Sequence, residues 1–268
     1  MSIKLTKLVV LIRGGGEVAS GVAHRLARAH LHVCLTETAQ PLAVSRGVAF
    51  CEAIYDGTKE VEGIVAKRIT SASEIPEVWR KNEIPIIIDP EASIKKDLNP
   101  DVLVDAIMAK KNLGTKITDA PLVIGLGPGF QAGQDVHVVV ETNSSENLGK
   151  VILNGEAERN TGIPVAIEGL TFERVLHSPK NGLFQTDKEI GDLVAAGEII
   201  ASVAGQAVKA EIDGIIRALM RRGTKVVPGT KLGEIDPTGS KKACFTIRPK
   251  MSTIADGVLE AILMRFNV

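Results

Sequence analysis

Asp135, His137 and Glu141 are the residues whose types and spacing come nearest to a reactive centre. They share parity, so on one strand their side chains would face the same way. Two carboxylates and an imidazole on one face can bind a metal ion or exchange protons. The alternative is three polar groups hydrogen-bonded separately at a sheet margin. A different chemistry is written into Gly14-Gly15-Gly16-Glu17-Val18-Ala19, which fits G-x-G-x-x-A. Glycines there let a strand turn tightly into a helix whose exposed N–H groups can hold a phosphate. Arg13 precedes the motif, and Glu37, 23 residues after Gly14, stands where a ribose-binding acid belongs. Glu17 counts against a conventional nicotinamide site, because a carboxylate at the helix start satisfies those N–H groups and repels phosphate. A second glycine loop, Gly125-Leu126-Gly127-Pro128-Gly129, is followed by the polar turns Glu141-Thr142-Asn143 and Asn160-Thr161-Gly162. The last is either a plain linker or a set facing the loops. The ligand-contacting set expected from these motifs is Arg13, Gly14, Gly15, Gly16, Glu37, Gly125, Gly127, Gly129, Thr142, Asn143, Asn160 and Thr161. No P-loop, G-x-S-x-G elbow, H-E-x-x-H or zinc-spaced Cys/His set occurs, and no metal is expected.

These residues need strands and helices to hold them. Lys7 to Ile12 reads as a buried strand, and Ala19, Val22, Ala23 and Leu26 make the apolar face of a helix behind the first glycine loop. Leu31 to Thr36 is a second strand ending at Glu37. Ser73 is placed to cap a short helix through Trp79, and further strands fall at 84–88, 121–124 and 136–140. Alternating strands and short helices predict a Rossmann-like, mostly parallel α/β sheet over residues 1–168, with both glycine loops at its carboxyl edge.

Near residue 170 the texture changes. Ser178 to Val203 lies over Ala210 to Ile235 without a gap, at a constant offset of 32. Gly182 matches Gly214, Gly191 matches Gly223 and Gly197 matches Gly229. Such a register means two copies of one β unit, neither able to close a core alone. The pattern resembles the two halves of the biotinyl/lipoyl barrel-sandwich family and predicts a small all-β barrel over residues 169–240. The segment joining the halves, Ala204 to Val208, has no lysine at its tip and no flanking methionine, so biotin and lipoate are not expected. Residues 241–268 read as a strand at Ala243 to Ile247 and a helix capped by Ser252, packing back on the α/β domain.

Composition narrows the class. The 268 residues are 44% hydrophobic and 24% charged, with Lys plus Arg equal to Asp plus Glu at 32 each. No net field steers such a chain toward nucleic acid or an anionic membrane, and eight scattered aromatics make no base-stacking surface. The apolar run Leu8 to Ile12 is too short to span a bilayer. Cys34, Cys51 and Cys244 are odd in number and lack any C-x-x-C, as suits reduced, buried thiols in the cytoplasm.

Several segments stand in a telling order: Arg13-Gly14-Gly15-Gly16-Glu17, Thr36-Glu37, Glu52-Ala53-Ile54-Tyr55-Asp56-Gly57, Asp105 with Lys110-Lys111-Asn112-Leu113-Gly114, Gly125 to Phe130, Glu141-Thr142-Asn143, Asn160-Thr161-Gly162 and Gly233 to Pro237. In them the chain resembles the bacterial selenium-dependent molybdenum hydroxylase system proteins, distantly akin to accessory proteins of xanthine dehydrogenase. The resemblance implies a maturation role, with a molybdopterin cofactor or a nucleotide as the phosphate-bearing ligand. It implies a molybdenum hydroxylase or a selenium/sulfur donor protein as partner. Apart from the resemblance, the barrel can serve as a docking module, a lid or a dimer contact, so a homo-oligomer is a further expectation. The sequence departs at Ile107, where that family usually has Arg, and at Cys51, where a plain small residue is common. Two other readings stay open. One is a nucleotide-dependent enzyme, a dehydrogenase or nucleotidyl transferase, using Asp135, His137 or Glu141 as base or metal ligand. The other is a non-catalytic adaptor that docks the hydroxylase.

Overall fold

A computed structural model describes residues 5–267. By its internal contacts the chain forms two units. The first runs up to Pro41, from Ala49 to Asn160 and from Ile247 onward; the second takes Leu42–Val48 and Thr161–Thr246.

The first unit is built on nine strands: β1 (Val9–Arg13), β2 (His32–Glu37), β3 (Thr58–Val61), β4 (Ile64–Ile69), β5 (Ile84–Ile88), β6 (Val102–Asp105), β7 (Leu122–Leu126), β8 (Val138–Val140) and β9 (Val151–Ile152). They line up as β3-β4-β5-β2-β1-β6-β7-β8-β9. Pairing is parallel from β4 through β8, and antiparallel at both margins, β3 on β4 and β9 on β8. The inner strands are apolar on both faces, as strands covered on both sides must be: Val10, Leu11 and Ile12 of β1 are wholly buried. Two helices exceed two turns, α1 (Glu17–Arg28) and, at the end of the chain, an 18-residue helix Pro249–Phe266. They pack on each other, Gly21 approaching Met251 so closely that a Cβ there would lie 2.8 Å from that of Met251. Between them come the short helices α2 (Ala53–Asp56), α3 (Ile75–Arg80) and α4 (Lys95–Leu98), so the C-terminal helix is α5.

The second unit holds β10 (Val175–His177), β11 (Gly182–Gln185), β12 (Leu193–Val194), β13 (Ile199–Val203), β14 (Gln206–Lys209), β15 (Gly214–Leu219), β16 (Lys225–Val226) and β17 (Lys231–Asp236). These make two four-stranded antiparallel sheets, β10-β17-β15-β12 and β14-β13-β11-β16. The 32-residue offset carries β11 onto β15, β12 onto β16 and β13 onto β17. Each sheet therefore mixes strands of both copies, and one core containing Phe184, Val203, Ile216 and Ile235 lies among them. Gly182 and Gly214, equivalent in the repeat, have φ of 159° and 156°, and a Cβ on Gly214 would press on the Asp236 carbonyl.

The expected fold class needs correction. The first unit is a mixed nine-stranded sheet with antiparallel margins, and most of its connections are turns or helices of four to six residues, not the long crossover helices of a Rossmann-like domain. The second unit is two separate four-stranded sheets, with no strand pairing between them to close a lipoyl-like barrel. Smaller expectations also shift. Ser73 does not cap the short helix: Ser71 caps the 3₁₀ turn Ala72–Glu74 that leads into α3, in a reciprocal arrangement with Glu74, and α3 itself has no side-chain cap. Residues 242–245 form a 3₁₀ turn where a strand was expected. α5 starts at Pro249, ahead of Ser252, because proline's fixed φ suits the first helical position.

Candidate functional site

The strands from β4 to β8 run the same way, so the segments that follow β1, β2, β6, β7 and β8 gather at one edge of the sheet. In open parallel sheets this carboxyl edge is where ligands bind. Arg13, the last residue of β1, is buried there. Its Nη1 donates to Thr115 Oγ1 at 2.6 Å and faces Asp105 Oδ2 at 3.4 Å; its Nη2 donates to the Pro90 carbonyl at 3.1 Å. Thr115 Oγ1 in turn donates to Asp105 Oδ2 at 2.6 Å. Arg13 thus braces the loops after β5 and β6.

Both glycine loops serve close packing of the chain on itself. The Gly15 N–H donates to Glu37 Oε2 at 2.8 Å, so the acid expected at a ribose occupies an amide expected at a phosphate. The other oxygen of Glu37 accepts from the Thr38 N–H. A Cβ on Gly14 would touch the Ala106 carbonyl at 3.0 Å, and one on Gly15 would lie 3.1 Å from Cys51 and Ile86. In the second loop a Cβ on Gly125 would enter the Phe130 ring, one on Gly127 would collide with Thr142 Oγ1, and one on Gly129 would lie 2.6 Å from the Lys111 backbone. Gly16 differs: its Cβ position faces open space, and no side chain caps the start of α1 that it precedes.

Asp135, His137 and Glu141 do not converge. Asp135 accepts the Gln131 N–H at 2.9 Å in the connection before β8. His137 lies at the amino end of β8, and its Nδ1 accepts the Val123 N–H at 3.0 Å, which leaves the neutral ring its proton on Nε2. Burial, then Arg265, holds its pKa below the ordinary value. Glu141 follows the carboxyl end of the same strand, roughly 13 Å away at strand spacing. It is buried, and it accepts the N–H groups of Thr142 at 2.7 Å, Asn143 at 2.6 Å and Glu158 at 2.7 Å. Glu158 accepts from the Asn143 and Asn147 amides and from Ser145 Oγ, which together hold its carboxyl below the usual carboxylate range. Thr142 and Asn143 are thereby fixed in a knitted turn. Asn160 closes the first unit, and Thr161, which opens the second, accepts the Ile163 N–H at 3.2 Å. Among the described residues no group of three His, Cys, Asp or Glu side chains is placed to hold a metal ion.

Two cations missing from the sequence expectation stand at this edge. Arg248 Nε lies 3.1 Å from Glu17 Oε1, and Lys250 Nζ donates to Ser144 Oγ at 2.8 Å. Lys250 is partly buried. Burial, then Arg248, pushes its pKa down against a partial offset from Glu17 and Glu141. The signal was present in Arg248-Pro249-Lys250: a proline at the first helical position brings its neighbours to the start of α5. The edge therefore collects two cations, the start of α1 and a turn of fixed polar groups. Glu17 balances one cation, and Glu141 spends its oxygens on backbone amides.

No family model matches the chain. Over 256 residues it is 43% identical to the uncharacterized protein YqeB of Escherichia coli (strain K12), a match covering 96% of this chain and 47% of YqeB. The chain spans about half the length of the curated relative it matches. Among solved structures it is similar to an aspartoacylase family protein from Mesorhizobium loti, with 12% identity, 85% of each chain covered and a TM-score of 0.28. It is similar to the ectoine utilization protein EutE from Ruegeria pomeroyi, with 14% identity, 85% of each chain and a TM-score of 0.26. It is also similar to TcdA (CsdL), with 12% identity over 98% of this chain and 90% of that one, and a TM-score of 0.32. Scores at this level assign neither fold nor activity. The resemblance to selenium-dependent molybdenum hydroxylase system proteins is corrected: no family model matches the chain, and the relative it matches is described only as uncharacterized. The maturation role, its molybdenum and selenium chemistry and the hydroxylase-docking adaptor fall with it. The nucleotide-dependent enzyme loses its centre too, since Asp135 and His137 lie at the opposite end of β8 from Glu141.

Proposed function

We propose that the first unit binds a small molecule through an anionic group at the carboxyl edge of its parallel strands. The site lies between the start of α1, the turn from Thr142 to Ser144 and the start of α5. The observation that carries this reading is Lys250, a partly buried ammonium that donates to the neutral Ser144 hydroxyl at 2.8 Å at the start of α5, in the same turn as Arg248. A bound anion gives this ammonium a charge-assisted hydrogen bond. Gly16 leaves its side open beside the uncapped start of α1, where Arg248 offsets the Glu17 carboxylate that would otherwise repel an anion. A phosphate or a carboxylate satisfies this chemistry, and a nucleotide is one ligand that carries it. Among the described residues no helix is long and apolar enough to cross a membrane. Three free, buried cysteines support a cytoplasmic setting.

The test is calorimetric titration of the protein with orthophosphate, succinate and ADP, repeated on Lys250→Met and Lys250→Arg. At least one probe is expected to bind, with affinity lost by about tenfold or more in Lys250→Met and largely kept in Lys250→Arg. Failure of all three probes to bind at about 10 mM, or equal binding by Lys250→Met, overturns the reading.

A further inference from the structure

Ser144 and Lys250 sit on two elements whose backbones pack directly on each other. The turn carrying Ser144 runs to Gly149, where a Cβ would lie 2.6 Å from the Thr253 carbonyl of α5. A Cβ on Gly257, one turn further along α5, would collide with the Gly149 carbonyl. Glu141 and Glu158 pin the turn from within, through their hydrogen bonds to its backbone and side chains. On this fixed turn the Ser144 residue is exposed. Among the described residues its Oγ meets one hydrogen-bond partner, Lys250 Nζ at 2.8 Å, and Lys250 Nζ meets no other. The Ser144 and Ser145 N–H groups have no acceptor among the described residues. A serine hydroxyl held by an amine is the Ser–Lys form of the catalytic triad, the amine being general base to the hydroxyl. The N–H of a nucleophilic serine and that of the residue after it are positions from which hydrolases stabilise an oxyanion. Burial and the neighbouring Arg248 favour the neutral, proton-accepting amine, against the pull of Glu17 and Glu141.

We infer that Ser144 and Lys250 are a nucleophile and base that hydrolyse a small carboxylic ester. Ser144 Oγ attacks the carbonyl carbon and gives its proton to the neutral Lys250 amine, while the Ser144 and Ser145 N–H groups hold the oxyanion. The ester C–O bond breaks, and the departing alkoxide takes the proton from Lys250 and leaves as alcohol. Water then attacks the acyl-serine and passes a proton to Lys250. The bond from Oγ to the acyl carbon breaks, and Oγ takes that proton back. The released acid ionises onto the Lys250 amine, which leaves a carboxylate against an ammonium. The inference rests on the anion site proposed above, whose anion it identifies as the carboxylate product.

The experiment treats the protein with a biotin-linked fluorophosphonate, which loses fluoride when a serine oxygen attacks its phosphorus, and separately with p-nitrophenyl acetate. Ser144→Ala and Lys250→Arg are carried through both, with thermal melting as the control for folding. The expected result is a label on Ser144, located by peptide mass spectrometry. Ester hydrolysis should fall about 100-fold or more in both variants while melting is unchanged. Arginine keeps the cation but stays protonated and cannot serve as base, so Lys250→Arg separates catalysis from anion binding. A label absent from Ser144, or hydrolysis that either variant leaves unchanged, overturns the inference. Calorimetry on the parent protein tells the two claims apart. If an anion binds but Ser144 does not react, the pair is refuted and the anion site stands. If Ser144 reacts but no anion binds, the pair is supported and only the placing of the product is refuted.

Discussion

Replacing Arg13 by Met tests whether the first glycine segment is internal structure. The change keeps volume and apolar contact but removes the guanidinium from Asp105, a carboxylate only 2% exposed. Asp105 keeps the Thr115 hydroxyl and the Ile107 N–H as donors. Breaking a buried pair by removing one partner costs about 3–5 kcal/mol. The lower end applies here, because two donors remain and because Arg13 Nε is itself buried without an acceptor among the described residues. Adding Asp105→Asn removes the stranded charge while keeping an acceptor for Thr115, and is expected to recover about 1–2 kcal/mol, a coupling of the size seen between contacting residues. Trp79 is the only tryptophan, lies in the first unit, donates to the Val33 carbonyl at 2.7 Å and stacks on His32. Its fluorescence in urea therefore follows that unit alone, which avoids fitting two units as one transition. The reasoning is refuted if Arg13→Met unfolds within about 1 kcal/mol of the parent, or if the double variant is as unstable as the sum of its parts.

Three further expectations concern the histidines, the loop glycines and the cysteines. His24 and His137 are both held below the ordinary pKa of 6.5, chiefly by burial, with the Glu62 carbonyl partly offsetting this at His24. Their protonated forms are thus favoured in the unfolded chain, so the stability they contribute is full above pH 6.5 and is lost as pH falls below it. His137→Asn should flatten that loss in urea titrations across the same window. Gly129→Ala must place a Cβ at φ +108° against the Lys111 backbone and should lower stability by about 1–3 kcal/mol, whereas Gly16→Ser should be neutral or stabilising by a few tenths. Paired thermal melts read the contrast. The Cys34 thiol is pushed up to about 12 by burial, and burial raises Cys51 and Cys244 as well. Iodoacetamide at pH 8 should label none of the three in the native protein and all three in urea, counted by mass.

Periodicity and punctuation made much of the local structure legible. The run at Leu8 to Ile12 and the apolar face from Ala19 to Leu26 appear as β1 and α1, and the 32-residue offset appears strand for strand in the second unit. The class was misjudged because parity and glycine spacing do not report pairing partners. Nothing local says that β3 and β9 turn the sheet margins antiparallel, or that the repeats exchange strands between two sheets. The site was misread for a related reason. A glycine required by a neighbouring backbone looks the same in sequence as one required by a phosphate, and Gly129 against Lys111 is of the first kind. The parity of Asp135, His137 and Glu141 assumed one strand, but β8 covers only the three valines between the last two. Lys250 lies far along the chain from Ser144, and the pairing arises only when α5 packs back on the sheet.

The most direct measurement is the titration of the Lys250 ammonium by NMR, with lysines labelled at Nζ and the signal assigned through Lys250→Arg. Without ligand, its pKa is expected below the ordinary 10.5, and a saturating anion should raise it, because each charge stabilises the other. A value at or above 10.5 without ligand, or one unmoved by an anion that binds elsewhere, contradicts the proposed site.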